Sequence, residues 1–128
     1  MTSRHAARVA AVETLYAADV REVAVSEVAD ELRDYAAHLV RCVDERRGEI
    51  DELLAAHAIG WRPDRMSPVD RNVLRVAVLE LLEEDVPPAA VIDEAVEIAK
   101  NLSGEEAGRF VNGVLGGVLA ARGPATSP

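Results

Sequence analysis

The sequence predicts an all-α protein, and three observations carry that prediction. Alanine, leucine, glutamate and arginine are abundant, whereas threonine is scarce and aromatic residues make up only 3% of the chain, a balance that favours helix over strand. Apolar residues recur at steps of three and four along most of the sequence. Proline, glycine and serine fall between those periodic stretches, where they punctuate rather than interrupt. With 128 residues, 49% of them hydrophobic, the chain is expected to form one core: a single helical domain over residues 1–122 and a disordered tail at 123–128.

Ser3 is placed to cap a first helix running to about Ala18, in which Val9, Val12 and Tyr16 share one face and Arg4 and Arg8 form another. A second helical stretch begins near Ser26 with Val28, Leu32, Leu39 and Val43 and continues through Ile50, Leu53, Leu54 and His57. The polar run Asp44 to Glu49 reads as a solvated turn or two within one long helix. Gly60 to Pro63 ends this region, and Ser67-Pro68-Val69-Asp70 has the form of an N-cap, a first-turn proline and an acid at the third helical position. The helix starting there, Val73 to Leu82, is apolar on nearly every side and should be central.

Val86-Pro87-Pro88 breaks the chain again. Val91, Ala95, Ile98 and Leu102 then repeat at helical spacing, with Ile92, Val96 and Ala99 alongside. Ser103 and Glu106 have the spacing of a capping box for the last helix, whose seam is Ala107, Phe110, Val111, Val114, Leu115, Val118 and Leu119. The expected core includes Leu74, Val78, Leu81, Val96, Phe110, Val114 and Leu115. A weak echo relates Arg8-Val9-Ala10 with Glu13 and Leu15 to Arg75-Val76-Ala77 with Glu80 and Leu82. Two related halves or chance among common helix formers would each produce it.

Fourteen basic against twenty-three acidic residues give a net charge of −9, which excludes a free-standing, non-specific nucleic-acid binder. One cysteine, Cys42, excludes an internal disulfide framework and a many-sulfur zinc site, and suits the cytoplasm. No apolar run approaches a membrane span, and the start lacks the apolar stretch of a secretory signal. His5, His38 and His57 are scattered without a second ligand one turn away, so no metal site is read from them. Phosphate-loop and nucleophile-elbow motifs are absent, and paired acids such as Glu83-Glu84 point in different directions. Enzymatic activity and cofactors are not expected.

Three regions exceed a purely structural reading. The acid-free start with Arg4, His5 and Arg8 could meet phosphate, and Tyr16 could stack on a base; two arginines at a helix end also serve simply as solubilising charge. Trp61 to Asp70 gathers an aromatic, a methionine and alternating charges, although Trp61 reads more readily as a core plug than as a binding residue. Arg109-Phe110-Val111-Asn112-Gly113 sets the only phenylalanine beside an amide. Gly113, Gly116 and Gly117 are expected to permit close helix contact.

Taken in order, Ala11-x-x-x-Leu15-Tyr16, Arg65-Met66, Val69-Asp70-Arg71-x-x-Leu74-Arg75 through Leu82, Val86-Pro87, Val91 to Lys100 and Phe110 to Leu115 resemble the NusB family of bacterial transcription antitermination factors. The resemblance spans Arg4 to Leu119. It implies two packed three-helix bundles with seven or so helices, and a non-enzymatic factor that pairs with the ribosomal protein NusE. It further implies recognition of the boxA element of ribosomal RNA leader transcripts within an RNA polymerase antitermination complex. By position, Arg4, His5, Arg8 and Tyr16 take the RNA-facing role with Lys100 in support, and Asp64, Asp70, Glu106 and Phe110 face NusE. The basic start is poorer than in richer family members, and the segment from Ala18 to Ser26 is short. Two other readings stay open: the RNA-binding appendage of a ribosomal RNA cytosine methyltransferase, for whose cofactor domain 128 residues leave no room, and a helical dimerisation protein without RNA. The oligomeric state, homodimer included, is not readable.

Overall fold

The computed structural model describes residues 3–29, 32–58, 62 and 66–122. Its α-helices are α1 (Arg4–Arg21), α2 (Asp34–Glu45), α3 (Arg47–His57), α4 (Pro68–Glu83), α5 (Pro88–Ser103) and α6 (Glu105–Arg122), with a 3-10 turn at Val25–Glu27. Among the described residues there is no strand. The expected tail at 123–128 and the residues Trp61 and Asp64 lie outside the described residues. Helices α1–α3 and α4–α6 form two three-helix bundles joined through α4, which packs against each of the other five.

Local chemistry accounts for the helix ends that were foreseen. The Ser3 hydroxyl accepts the Ala6 N–H at 3.1 Å, satisfying one of the donors a helix start leaves open. Pro68 and Pro88 each occupy the first helical position, where a missing N–H costs nothing. Every residue of α4 from Asn72 to Leu81 is buried, as expected of an all-round apolar helix. Leu74, Val78, Leu81, Val114 and Leu115 lie in one continuous core.

Tertiary packing overrides the sequence expectation in four places. No helix starts at Ser26; the chain instead crosses from α1 through the 3-10 turn, with Val25, Ala29 and Leu32 packed on the core and the Glu27 carboxylate accepting the Ala24 N–H at 2.9 Å. The long second helix is two helices, broken at Arg46 (φ −107°, ψ 19°), because α2 packs on α1 whereas α3 turns away to pack on α6. Ser103 does not cap α6: it is the last residue of α5, and Gly104 makes the corner at φ +100°, a backbone region that side chains resist. Finally, Val96 is half-buried and Phe110 is 39% exposed, since Phe110 sits at the edge of the stripe formed by Ala107, Val111, Val114, Leu115 and Val118.

Close helix contact falls at other glycines than Gly113 and Gly116, which have open space where a side chain would go. A Cβ at Gly108 would stand 3.4 Å from the Lys100 side chain, and one at Gly117 would stand 3.5 Å from the His57 carbonyl. These are ordinary van der Waals distances, so α6 passes close to α5 at Gly108 and to the end of α3 at Gly117 with room for a methyl group at either position.

Candidate RNA and partner interface

Ion pairs fix the relative directions of three helices. Arg8 of α1 meets Glu80 of α4, while Asp19, further along α1, meets Arg71 and Asn72, nearer the start of α4. Helix α1 is thus antiparallel to α4. Helix α5 also runs against α4, since Glu94 stands level with Glu80 through their shared partner Arg8 and Ser103 reaches back to Asp70. It follows that α1 and α5 run side by side in the same direction. Arg8, Val12, Val91, Ala95 and Ile98 line the seam between them, and Val73, Val76, Ala77 and Glu80 of α4 form its floor.

Arg4, Arg8, Val12 and Tyr16 follow one another at four-residue steps and so make a single ridge along α1. Its middle is buried and its ends are open. Arg8, read from the sequence as a surface arginine able to hold phosphate, is only 6% exposed. It donates a fork to Glu80 (Nε–Oε1 2.8 Å, Nη2–Oε2 3.0 Å) and a third bond from Nη1 to Glu94 at 2.7 Å. Burial opposes its charge, and the two carboxylates more than restore it. Its donors are directed inward, which removes Arg8 from the set of surface phosphate contacts and makes it the group that seats α1.

Arg4 and His5 remain at the surface. The Arg4 guanidinium lies 4.2 Å over the Tyr35 ring, and His5 Nδ1 stands 3.2 Å from Glu94. Tyr35 in turn donates its hydroxyl to Glu80 Oε2 at 2.6 Å; burial, and then that bond, push its phenol pKa up, so it stays protonated as a donor. At the other open end Tyr16 is 38% exposed. Lys100 is exposed on α5, with Nζ 3.7 Å from Glu105. Counting from the Arg8–Glu94 contact, Tyr16 and Lys100 stand about 12 Å and about 9 Å along their parallel helices. The candidate residues of α1 are thus divided between its two open ends, with Arg4 and Tyr16 about 18 Å apart along the ridge, and Lys100 stands separately on α5.

The acidic and aromatic residues assigned to a protein partner are placed near the corner between α5 and α6. Glu106 and Phe110 are exposed one turn apart on α6. Asp70 is half-buried; its Oδ1 has no hydrogen-bond partner among the described residues, and burial raises its pKa against the opposing bond from Ser103. Asp64 lies outside the described residues. Leu102, the last apolar residue of the repeat on α5, is 43% exposed and adds apolar surface at the same corner. Spacing assigned it to the right face of α5 but could not show where the cover of that face ends.

The histidine reading also needs correction. Cys42 lies one helical turn after His38 on α2, and Glu83 closes on both from the end of α4. The four-residue step was visible in the sequence, whereas the carboxylate from a distant helix was not.

Among the described residues no helix is long and apolar enough to cross a membrane. The NusB family model matches residues 5–120. The transcription antitermination protein NusB of Thermobifida fusca (strain YX) is 52% identical over 122 residues, covering 88% of this chain and 86% of its own. Among solved structures, T. maritima NusB superposes with a TM-score of 0.83 at 36% identity over 96% of this chain and 94% of that one. A chain in the crystal structure of antitermination factors NusB and NusE in complex with dsRNA gives 0.80 at 33% identity, covering 92% and 96%. Matched by the family model over nearly its whole length and by relatives across both halves of the fold, the chain belongs to the NusB family, transcription antitermination factors rather than enzymes.

Proposed function

We propose that this antitermination factor acts in the cytoplasm by binding boxA RNA of ribosomal RNA leader transcripts jointly with NusE. The observation that carries the reading is the match, across almost the full length of both chains, to a component of a structure containing NusB, NusE and RNA. The surface described above supports it. Arg4 and His5 are offered as phosphate contacts, Tyr16 as a stacking platform and Lys100 as supporting charge, with Arg8 acting beneath them by holding α1 against α4 and α5. The corner of Asp70, Glu106, Phe110 and Leu102 is offered to NusE, together with Asp64.

The charge of the chain dictates how the two ligands depend on each other. A protein of net charge −9 releases few counter-ions from RNA by itself, so a basic partner must supply the rest of the electrostatic attraction. Binding is expected to be weak for the free chain and strong for its complex with NusE. An exposed tyrosine ring stacks on the face of an unpaired base, which favours single-stranded boxA over the same sequence in a duplex. Titrating single-stranded boxA, its duplex and a scrambled RNA into the chain with and without NusE tests the proposal. Tight binding of boxA by the complex is expected; equal binding of the scrambled RNA would overturn it.

A further inference from the structure

We propose that His38, Cys42 and Glu83 form a binding site for a single divalent transition-metal ion of the zinc type. The three residues each offer one ligand atom, and those atoms lie within 4.8 Å of one another. His38 and Cys42 share a face of α2 because four residues make roughly one turn, and their Nδ1 and Sγ atoms are 3.7 Å apart. A tetrahedral zinc ion, with bonds of about 2.0 Å to nitrogen and about 2.3 Å to sulfur, spans nearly that gap. Glu83 Oε2 already touches the same imidazole from the far side, at 2.7 Å from Nε2. One ion takes a single ring nitrogen, so ligation requires the Glu83 carboxylate to leave Nε2 and swing toward the gap between Nδ1 and Sγ, a move within the 4.8 Å that separates the three ligand atoms.

The surroundings favour a cation there. Glu83 is the last residue of α4, where unpaired carbonyls give the helix end a partial negative charge. The next residue, Glu84, turns the chain away with φ +60°, leaving the end of the helix beside the cluster. Tyr35, one turn before His38 on the other side from Cys42, stacks on the imidazole at a centroid distance of 5.8 Å and an interplanar angle of 21°, which limits the ring's rotation. His38 and Glu83 have side chains 35% and 17% exposed, so the site is walled on one side and open for entry on the other.

The donor set selects the class of ion. A thiolate and an imidazole suit zinc and its neighbours, and they are poor ligands for calcium or magnesium, which take oxygen. One thiolate and one carboxylate neutralise a doubly charged ion, the imidazole adds no charge, and water completes four-fold coordination. Binding releases the Cys42 thiol proton to solvent; no bond is otherwise made or broken and no redox partner is needed. Ligation of this kind would pin the end of α4 to the middle of α2.

Cobalt(II) added to the reduced full-length chain gives the test, because thiolate ligation produces a charge-transfer absorption that oxygen and nitrogen ligands do not. One equivalent of cobalt should produce that band together with the visible bands of tetrahedral cobalt, and zinc should displace it. Cys42→Ser should remove the band, and His38→Asn and Glu83→Gln should each weaken zinc binding about tenfold or more. His5→Asn, on a different face, should leave both readouts unchanged. Circular dichroism of the metal-free variants checks that each is folded. If the parent chain gives no thiolate band, or if Cys42→Ser gives the same spectrum, the cluster is an ordinary histidine–glutamate pair beside a thiol and the proposal fails.

Discussion

Arg8 and Arg75 occupy matching places in the two stretches of sequence that echo each other, and both fold into the interior against two carboxylates from other helices. Their surroundings differ. Arg8 is clamped by Glu80, whose side chain is only 2% exposed, with Glu94 on the outer side. Arg75 forks onto Asp51 at 2.9 and 3.0 Å and reaches Asp19 at 3.5 Å, and both of those acids are partly solvated, at 28% and 21%. The next acid in each echo diverges further: Glu13 is exposed on the peripheral helix α1, and Glu80 is buried on the central helix α4. The same residue types at the same spacing thus yield one cluster centred on a fully buried acid, Glu80, and one in which both acids touch water. An uncompensated charge is costly in proportion to its desolvation, so the two clusters should respond differently to losing a partner.

The largest effect is expected from Glu80→Ala. It removes the buried carboxylate from Arg8, which keeps only Glu94 on its outer side, and takes the acceptor from the Tyr35 hydroxyl; unfolding stability should fall by about 3–5 kcal/mol, measured by urea denaturation. Asp51→Ala leaves Arg75 with Asp19 and Asn72 and with water nearby, and should cost about 1–3 kcal/mol. Equal losses from the two substitutions would erase the distinction drawn between the clusters. Both should exceed the effect of Arg4→Ala on stability, because that side chain is exposed.

Acid titration sharpens the comparison on the Arg75 side. Burial alone would raise the Asp19 pKa, but bonds from Arg71 and Asn72 and the charges of Arg71 and Arg75 hold it below its ordinary 3.8. A folded-state pKa below the unfolded one means that Asp19 contributes stability above about pH 4. That contribution is lost as pH falls through the folded value. The parent chain should therefore show a steeper loss of melting temperature below pH 4 than Asp19→Asn does, and parallel curves would contradict the assignment.

The smallest effect concerns Asp70, which has the opposite sign. Its folded pKa is raised, so its ionisation opposes folding at neutral pH and the protein gains from its protonation as pH falls through the folded value. Asp70→Asn should leave the melting temperature at pH 7 unchanged or slightly higher. The same substitution should weaken association with NusE if Asp70 faces that partner. A large loss of stability would instead show Asp70 to be a structural cap.

How far the sequence could be read depended on what determines each feature. Prolines at Pro68 and Pro88 and the cap at Ser3 are local signals, and those helix starts were legible. The break at Arg46 was not, because it is decided by which distant helices α2 and α3 must cover. Apolar spacing identified the buried faces of α5 and α6 but not the points where covering helices end, which is why Leu102 and Phe110 emerged at the surface. Arginine near a chain start reads as a solvent-facing charge, and nothing within ten residues of Arg8 discloses that Glu80 and Glu94 will enclose it. The family motifs identified the family and proposed a surface, whereas the contrast between an exposed Arg4 and a buried Arg8 required the fold.

The stack of Arg4 on Tyr35 has a consequence for the timing of RNA capture. A guanidinium held over an aromatic ring gives up rotamer freedom without hydrogen-bonding to it through its N–H groups. Tyr35 is itself anchored in the interior through Glu80. The entropy of ordering a long flexible side chain has thus been lost during folding rather than at the moment of binding. In the proposed role as a phosphate contact, Arg4 would meet its ligand already positioned, and the protein interior, through one tyrosine, would set that position.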